Sequence, residues 1–84
     1  MPPRPAGAGY EVQVAGCEDA AYAQSLVQRY RQRGYEPYVT TAVIDGQKYY
    51  RVRLGIFETL SEARAVKSAV EDRYSVMAWI DHAE

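Results

Sequence analysis

Val43-Ile44-Asp45-Gly46-Gln47-Lys48-Tyr49-Tyr50-Arg51-Val52-Arg53-Leu54 is the stretch whose reading decides the fold. Asp45-Gly46 between two apolar flanks predicts a two-residue hairpin, because a type I′ turn needs positive φ at both central residues and Asp-Gly tolerates it. From Tyr49 to Leu54 apolar and polar residues alternate, the period of a strand with one face buried. The same unit recurs upstream. Tyr10–Ala15 alternates in the same way, and at an offset of 40 Tyr10 matches Tyr50, Val12 matches Val52, Ala23 matches Ala63 and Leu26 matches Val66. Towards the end the offset becomes 41, pairing Tyr38-Val39 with Trp79-Ile80.

Between the strands lie two helical patterns. Glu18–Arg33 puts Ala23, Leu26, Val27 and Tyr30 on one face, with Asp19 as N-cap and Gly34 just past the end. Thr59-Leu60-Ser61-Glu62 reads as a capping box opening a second helix, whose buried face is Ala63, Val66, Ala69 and Val70. The order is therefore βαββαβ, an α+β class of the RNP/ferredoxin-like type. Two right-handed βαβ units joined by a hairpin give a four-stranded antiparallel sheet with both helices on one face, the first and third strands central. Met1–Gly9, with three prolines and two glycines, reads as a flexible lead-in, leaving 10–81 as the domain.

Strand parity then selects the residues on the open sheet face. Tyr10, Val12, Val14, Tyr50, Val52, Leu54, Pro37, Val39, Val76, Ala78 and Ile80 point to the helices. Glu11, Gln13, Ala15, Tyr49, Arg51, Arg53, Tyr38, Thr40, Met77 and Trp79 point away. A sheet that only had to be soluble would not gather so many large aromatics.

Composition narrows the chemistry. The chain has 84 residues and a formal net charge of −1, so no overall basic excess drives binding to nucleic acid or anionic membrane. It has one cysteine and one histidine, which excludes an internal disulfide and leaves no basis for a zinc site or a Cys–His dyad; no metal and no cofactor is expected. No apolar run approaches the length of a membrane span, and no signal peptide is visible. Met1 before a linker-like stretch fits a piece of a longer chain, with any targeting segment upstream.

Tyr10-Glu11-Val12-Gln13-Val14, Gly34-Tyr35, Tyr49-Tyr50-Arg51-Val52-Arg53-Leu54-Gly55-Ile56-Phe57 and Ala78-Trp79-Ile80 together resemble the SPOR (sporulation-related repeat) family over Tyr10 to Ile80. The most specific part is the Tyr-Arg-Val strand, then Gly-x-Phe, then Ala63 in the second helix. The resemblance implies a non-catalytic module, placed outside the cytoplasm, that binds bacterial peptidoglycan glycan strands stripped of stem peptides and so marks septal wall. It implies that the face away from the helices does the binding. The family's first-strand glutamine corresponds to Gln13, its third-strand aromatic and arginine to Tyr49 and Arg51, and its last-strand aromatic or aliphatic position to Trp79. Tyr38 and Arg53 join them by parity. Where relatives carry a Gly-Ser-Phe triplet this chain has Ala15-Gly16-Cys17, so the serine that contributes to binding in relatives is replaced by Gly16.

These residue types suit a glycan. Tyr49, Tyr38 and Trp79 offer flat rings for the C–H faces of sugars, and Gln13 and Arg51 offer partners for hydroxyl and N-acetyl groups. Two rival readings use the same face. One is an RRM-like RNA-binding module, which shares the element order and stacks bases on sheet aromatics, although the RNP1 signature is absent here. The other is a protein–protein adaptor in the cell envelope. The expected partner is glycan, with no nucleic acid, no membrane contact, and a monomeric state. Several features have dull readings. Met77 is expected to pack under Trp79, Cys17 to be a small apolar residue at the top of the first helix, and His82 to be solvated tail. Glu71-Asp72 reads as solvated, and Arg29, Arg31 and Arg33 as cations at a helix C-terminus.

Overall fold

The computed structural model of the chain describes residues 9–83. The expected lead-in lies outside them except for Gly9, which already belongs to the first strand. The elements are β1 (Gly9–Cys17), α1 (Ala20–Gln32), β2 (Pro37–Ile44), β3 (Gln47–Phe57), α2 (Leu60–Tyr74) and β4 (Trp79–Ala83). They form one four-stranded sheet in the order β2-β3-β1-β4, every pair antiparallel. β1 and β3 are central, as the βαββαβ reading requires.

Local chemistry sets the element ends. Ile44 pairs with Gln47 across Asp45 (φ 51°) and Gly46 (φ 79°), the two positive values of a type I′ turn. Asp19 caps α1 by accepting from the Ala21 N–H, and Gly34 at φ 95° lets the chain leave the helix. Thr59 caps α2 by accepting from the Glu62 N–H. The return bond from the Glu62 side chain is not formed, so half of the expected capping box is present. α2 ends at Ser75, which takes a left-handed conformation (φ 54°, ψ 43°) usually left to glycine.

The core lies between the sheet and the helices. Ala23, Leu26, Val27 and Tyr30 of α1 and Ala63 and Val70 of α2 are buried against Val12, Val14, Val52 and Leu54. Val66 packs at the margin of this cluster. Tyr30 meets Tyr35 and Tyr74 edge-on, both with ring centroids 6.0 Å away, and so links α1 to the end of α2. Among the described residues no helix is long and apolar enough to cross a membrane.

Two β-bulges correct the simple parity. Between Gln13 and Ala15, β1 advances two residues while β3 moves from Arg53 to Val52. The extra residue turns Ala15 towards the helices, where it packs against the core, and not onto the open face as strict alternation predicts. The following residues keep the new phase, so Gly16 is the one paired with Arg51 on the outer side. The second bulge lies in β3, between the Val12–Leu54 and Tyr10–Phe57 pairs, where Gly55 adopts φ 46°.

The last strand also starts later than expected. Ser75 ends α2, and residues 75–78 run outside the ladder, which begins at Gln13–Trp79 and ends at Gly9–Ala83. His82 is therefore in the strand, with its ring 5.0 Å from that of Tyr10, and is not free tail. Cys17 ends β1; it sits at the core margin with its thiol 3.5 Å from the Asp19 carbonyl. Glu71, expected as a solvated acid, is partly exposed and also has two partners. It accepts from the Lys67 ammonium at 3.0 Å and from the Ala78 N–H at 3.1 Å, stapling the 75–78 segment to α2. These bonds hold its carboxyl below the ordinary range, the Lys67 bond contributing most and the Ala78 N–H next.

Candidate functional site

The ladders place the outward residues in rows across the sheet. Trp79, Gln13, Arg53 and Tyr38 are consecutive Cα partners from β4 to β2, and Gly16, Arg51 and Thr40 form the next complete row. Tyr49, opposite Ala42, stands two residues further along β3. All six candidate residues thus share one face, but they divide sharply by exposure.

Tyr38 and Arg53 are buried, at 1% and 8% exposure. The Tyr38 hydroxyl donates to the Gly55 carbonyl at 3.4 Å. Arg53 bridges two acids, donating through Nη1 to the fully buried Glu11 and through Nη2 to Asp81 at 3.0 Å. These two residues, expected as ligand contacts, are buried and bonded within the sheet. Arg53 joins the three strands β3, β1 and β4 through charge-assisted bonds. The signal for this network was available in the sequence: Glu11 and Arg53 have the same outward parity on neighbouring central strands, with Asp81 opposite Glu11.

Gln13, Tyr49, Arg51 and Trp79 remain accessible. Trp79 is 51% exposed, and the other three are half-buried. Arg53 Nη2 also lies 3.5 Å from the Gln13 Oε1, which leaves the amide nitrogen on the side of Gly16. A Cβ placed at Gly16 would sit 3.6 Å from that nitrogen, an ordinary contact. Gly16 therefore opens a shallow space bounded by Gln13 and by its ladder partner Arg51. Arg51 makes no ion pair among the described residues, whereas Arg53 is matched by Glu11 and Asp81. From Trp79 to Tyr49 the site crosses two strand spacings and four residues of strand, a diagonal of about 16 Å. Met77, expected as packing for Trp79, is 71% exposed in the segment before β4.

The surface that results carries an aromatic ring at each end and amide and guanidinium donors between them, on a face that no helix covers. The family model described as the SPOR domain matches residues 6–76. The chain belongs to the SPOR family. The fold of this SPOR domain is also that of a solved structure, the solution structure of the peptidoglycan binding domain of the B. subtilis cell wall lytic enzyme CwlC. The two are 20% identical, with a TM-score of 0.70 over 100% of both chains. No curated protein matches the SPOR domain described here.

Proposed function

We propose that this SPOR domain is a non-catalytic module that binds peptidoglycan glycan strands, preferring those without stem peptides, and brings a longer parent protein to septal cell wall. The carrying observation is the accessible diagonal Trp79–Gln13–Arg51–Tyr49 on the sheet face away from the helices. Its length of about 16 Å suits an extended chain of sugars better than a single ring. Trp79 and Tyr49 supply platforms for sugar C–H faces, Gln13 supplies a donor and an acceptor, and Arg51 a charged donor. A strand relieved of its peptides can lie flat on such a shallow face, whereas bulky substituents would lift its rings off the aromatics. Family membership and the likeness to a peptidoglycan binding domain support the ligand class, and with it a working location outside the cytoplasm, where that polymer lies.

The test is cosedimentation of the purified domain, expected as a monomer, with isolated sacculi before and after amidase treatment. The expected result is strong binding to treated sacculi and little to untreated ones, changing only slightly as salt is raised. Equal binding to both would refute the stem-peptide preference, and binding to neither would refute the glycan reading. A steep loss with salt, accompanied by retention of single-stranded RNA, would transfer the face to nucleic acid.

A further inference from the structure

The helical side of the molecule holds a second, unrelated site. A cleft of about 120 Å³ runs along α1 towards the segment that follows α2. Its floor includes Val14 and Ala15, consecutive residues of β1 that both face the helices only because of the bulge between Gln13 and Ala15. Leu26 completes an apolar base. The volume is slightly below that of the roughly 150 Å³ cavities that take up a benzene ring, so one aliphatic side chain fits.

Two cations line this cleft together with tyrosine rings, and no acidic residue does. Arg29 and Arg33 lie one helical turn apart at the end of α1, and neither makes an ion pair among the described residues. Arg33 is not a loose surface side chain. Its guanidinium carbon stands 3.6 Å from the centre of the Tyr74 ring and 5.0 Å from that of Tyr30. A guanidinium held over ring faces is oriented in advance while part of its N–H edge stays open to an anion. Burial pushes the Tyr30 phenol up, opposed by Arg33 beside it, so this hydroxyl is neutral at physiological pH.

We propose that the cleft between α1 and the 75–78 segment is a docking site for an acidic peptide segment of a partner protein, seating an aliphatic side chain on Val14, Ala15 and Leu26 and its neighbouring carboxylates on Arg29 and Arg33. Charge complementarity selects this occupant. An uncharged apolar segment would leave both guanidinium groups without an anion at the rim, and a bare anion would leave the cleft above the largely buried Val14 and Leu26 unfilled. The site lies on the opposite side of the sheet from Trp79 and Arg51, so the domain can hold its wall ligand and a protein partner at once.

The experiment is an amide chemical-shift titration of the intact chain with a short acetylated and amidated peptide of alternating aspartate and leucine. The controls are its asparagine–leucine counterpart and inorganic phosphate. The aspartate peptide is expected to shift Val14, Ala15, Leu26 and Val76 saturably, with weakening as salt rises. Arg29→Gln, which leaves the core untouched, is expected to weaken binding on the order of 2- to 10-fold with an unchanged thermal midpoint. Arg33→Gln should do at least as much. Equal binding of the asparagine peptide, equal shifts with phosphate alone, shifts confined to the sheet face, or no shifts would each overturn the proposal. Sacculus binding by Arg29→Gln is expected to stay at wild-type level, so failure here is separable from failure of the glycan reading.

Discussion

Arg51 and Arg53 are two residues apart on one strand and point the same way, yet their replacement should have opposite consequences. Arg53 is 8% exposed and is ion-paired to Glu11, which is fully buried, and to Asp81. Removing one member of a buried pair costs about 3–5 kcal/mol, because the other charge stays out of water without that partner. A domain with some 75 ordered residues has a total stability of about 4–11 kcal/mol at typical per-residue values. Arg53→Ala should therefore remove between about a quarter and all of the stability. At a urea dependence near the low end for small domains, the midpoint should fall by about 2–4 M. Arg51 is half-buried and makes no ion pair among the described residues, so Arg51→Ala should shift stability by less than about 0.5 kcal/mol. It should nevertheless abolish sacculus binding. Urea melts followed by tryptophan fluorescence, with cosedimentation run in parallel, measure both quantities, since Trp79 is the single tryptophan. Equal destabilisation by the two variants, or a loss under about 1 kcal/mol for Arg53→Ala, would refute the division between a structural and a ligand-facing arginine.

Other outcomes follow from single sites. Gly16→Ser meets only the Gln13 amide nitrogen at 3.6 Å and has no positive φ to strain, so it should fold normally. The added hydroxyl beside Gln13 and Arg51 should tighten sacculus binding about 2- to 10-fold, the equivalent of one hydrogen bond, as a binding isotherm would show. Ser75→Gly relieves a left-handed serine at the end of α2 and should raise stability by about 0.5–1 kcal/mol, seen as a higher thermal midpoint. Glu71 has its carboxyl held below the ordinary range by Lys67 and the Ala78 N–H. Its contribution is thus fully present above the unfolded-state carboxylate pKa and is lost as pH falls through the lower, folded-state value. Glu71→Gln should flatten the acid limb of the stability–pH curve, and an unchanged limb would show that the staple does not form.

Much of the molecule was legible in one dimension because the signals are local. The Asp45-Gly46 turn, the Asp19 and Thr59 caps and the Gly34 exit each depend on the conformational preference of one or two residues. The burial of Ala23, Leu26, Val27 and Tyr30 depends on helical period alone. The gathering of Gln13, Tyr49, Arg51 and Trp79 on one face followed from strand period and the order of the sheet. Strict alternation failed at Ala15, where an extra residue in β1 shifts the phase by one, and no residue between Gln13 and Ala15 announces a bulge. It also could not rank residues of equal parity. Tyr38 and Arg53 were expected to meet a ligand; the ladders bring Glu11 and Asp81 within reach of Arg53 and the Gly55 carbonyl within reach of the Tyr38 hydroxyl, and both side chains are buried.

What the sequence by itself determined is the element order, the sheet and the side of it that faces away from the helices, because these rest on periodicity and on backbone preferences read one residue at a time. What only the tertiary structure decided is which side chains on that face are buried and which stay accessible, and that Arg29 and Arg33 line one cleft with Val14, Ala15 and Leu26. Both depend on distances between residues far apart in the chain, and the bulges that set those distances are a compromise between two strands, written in neither one alone.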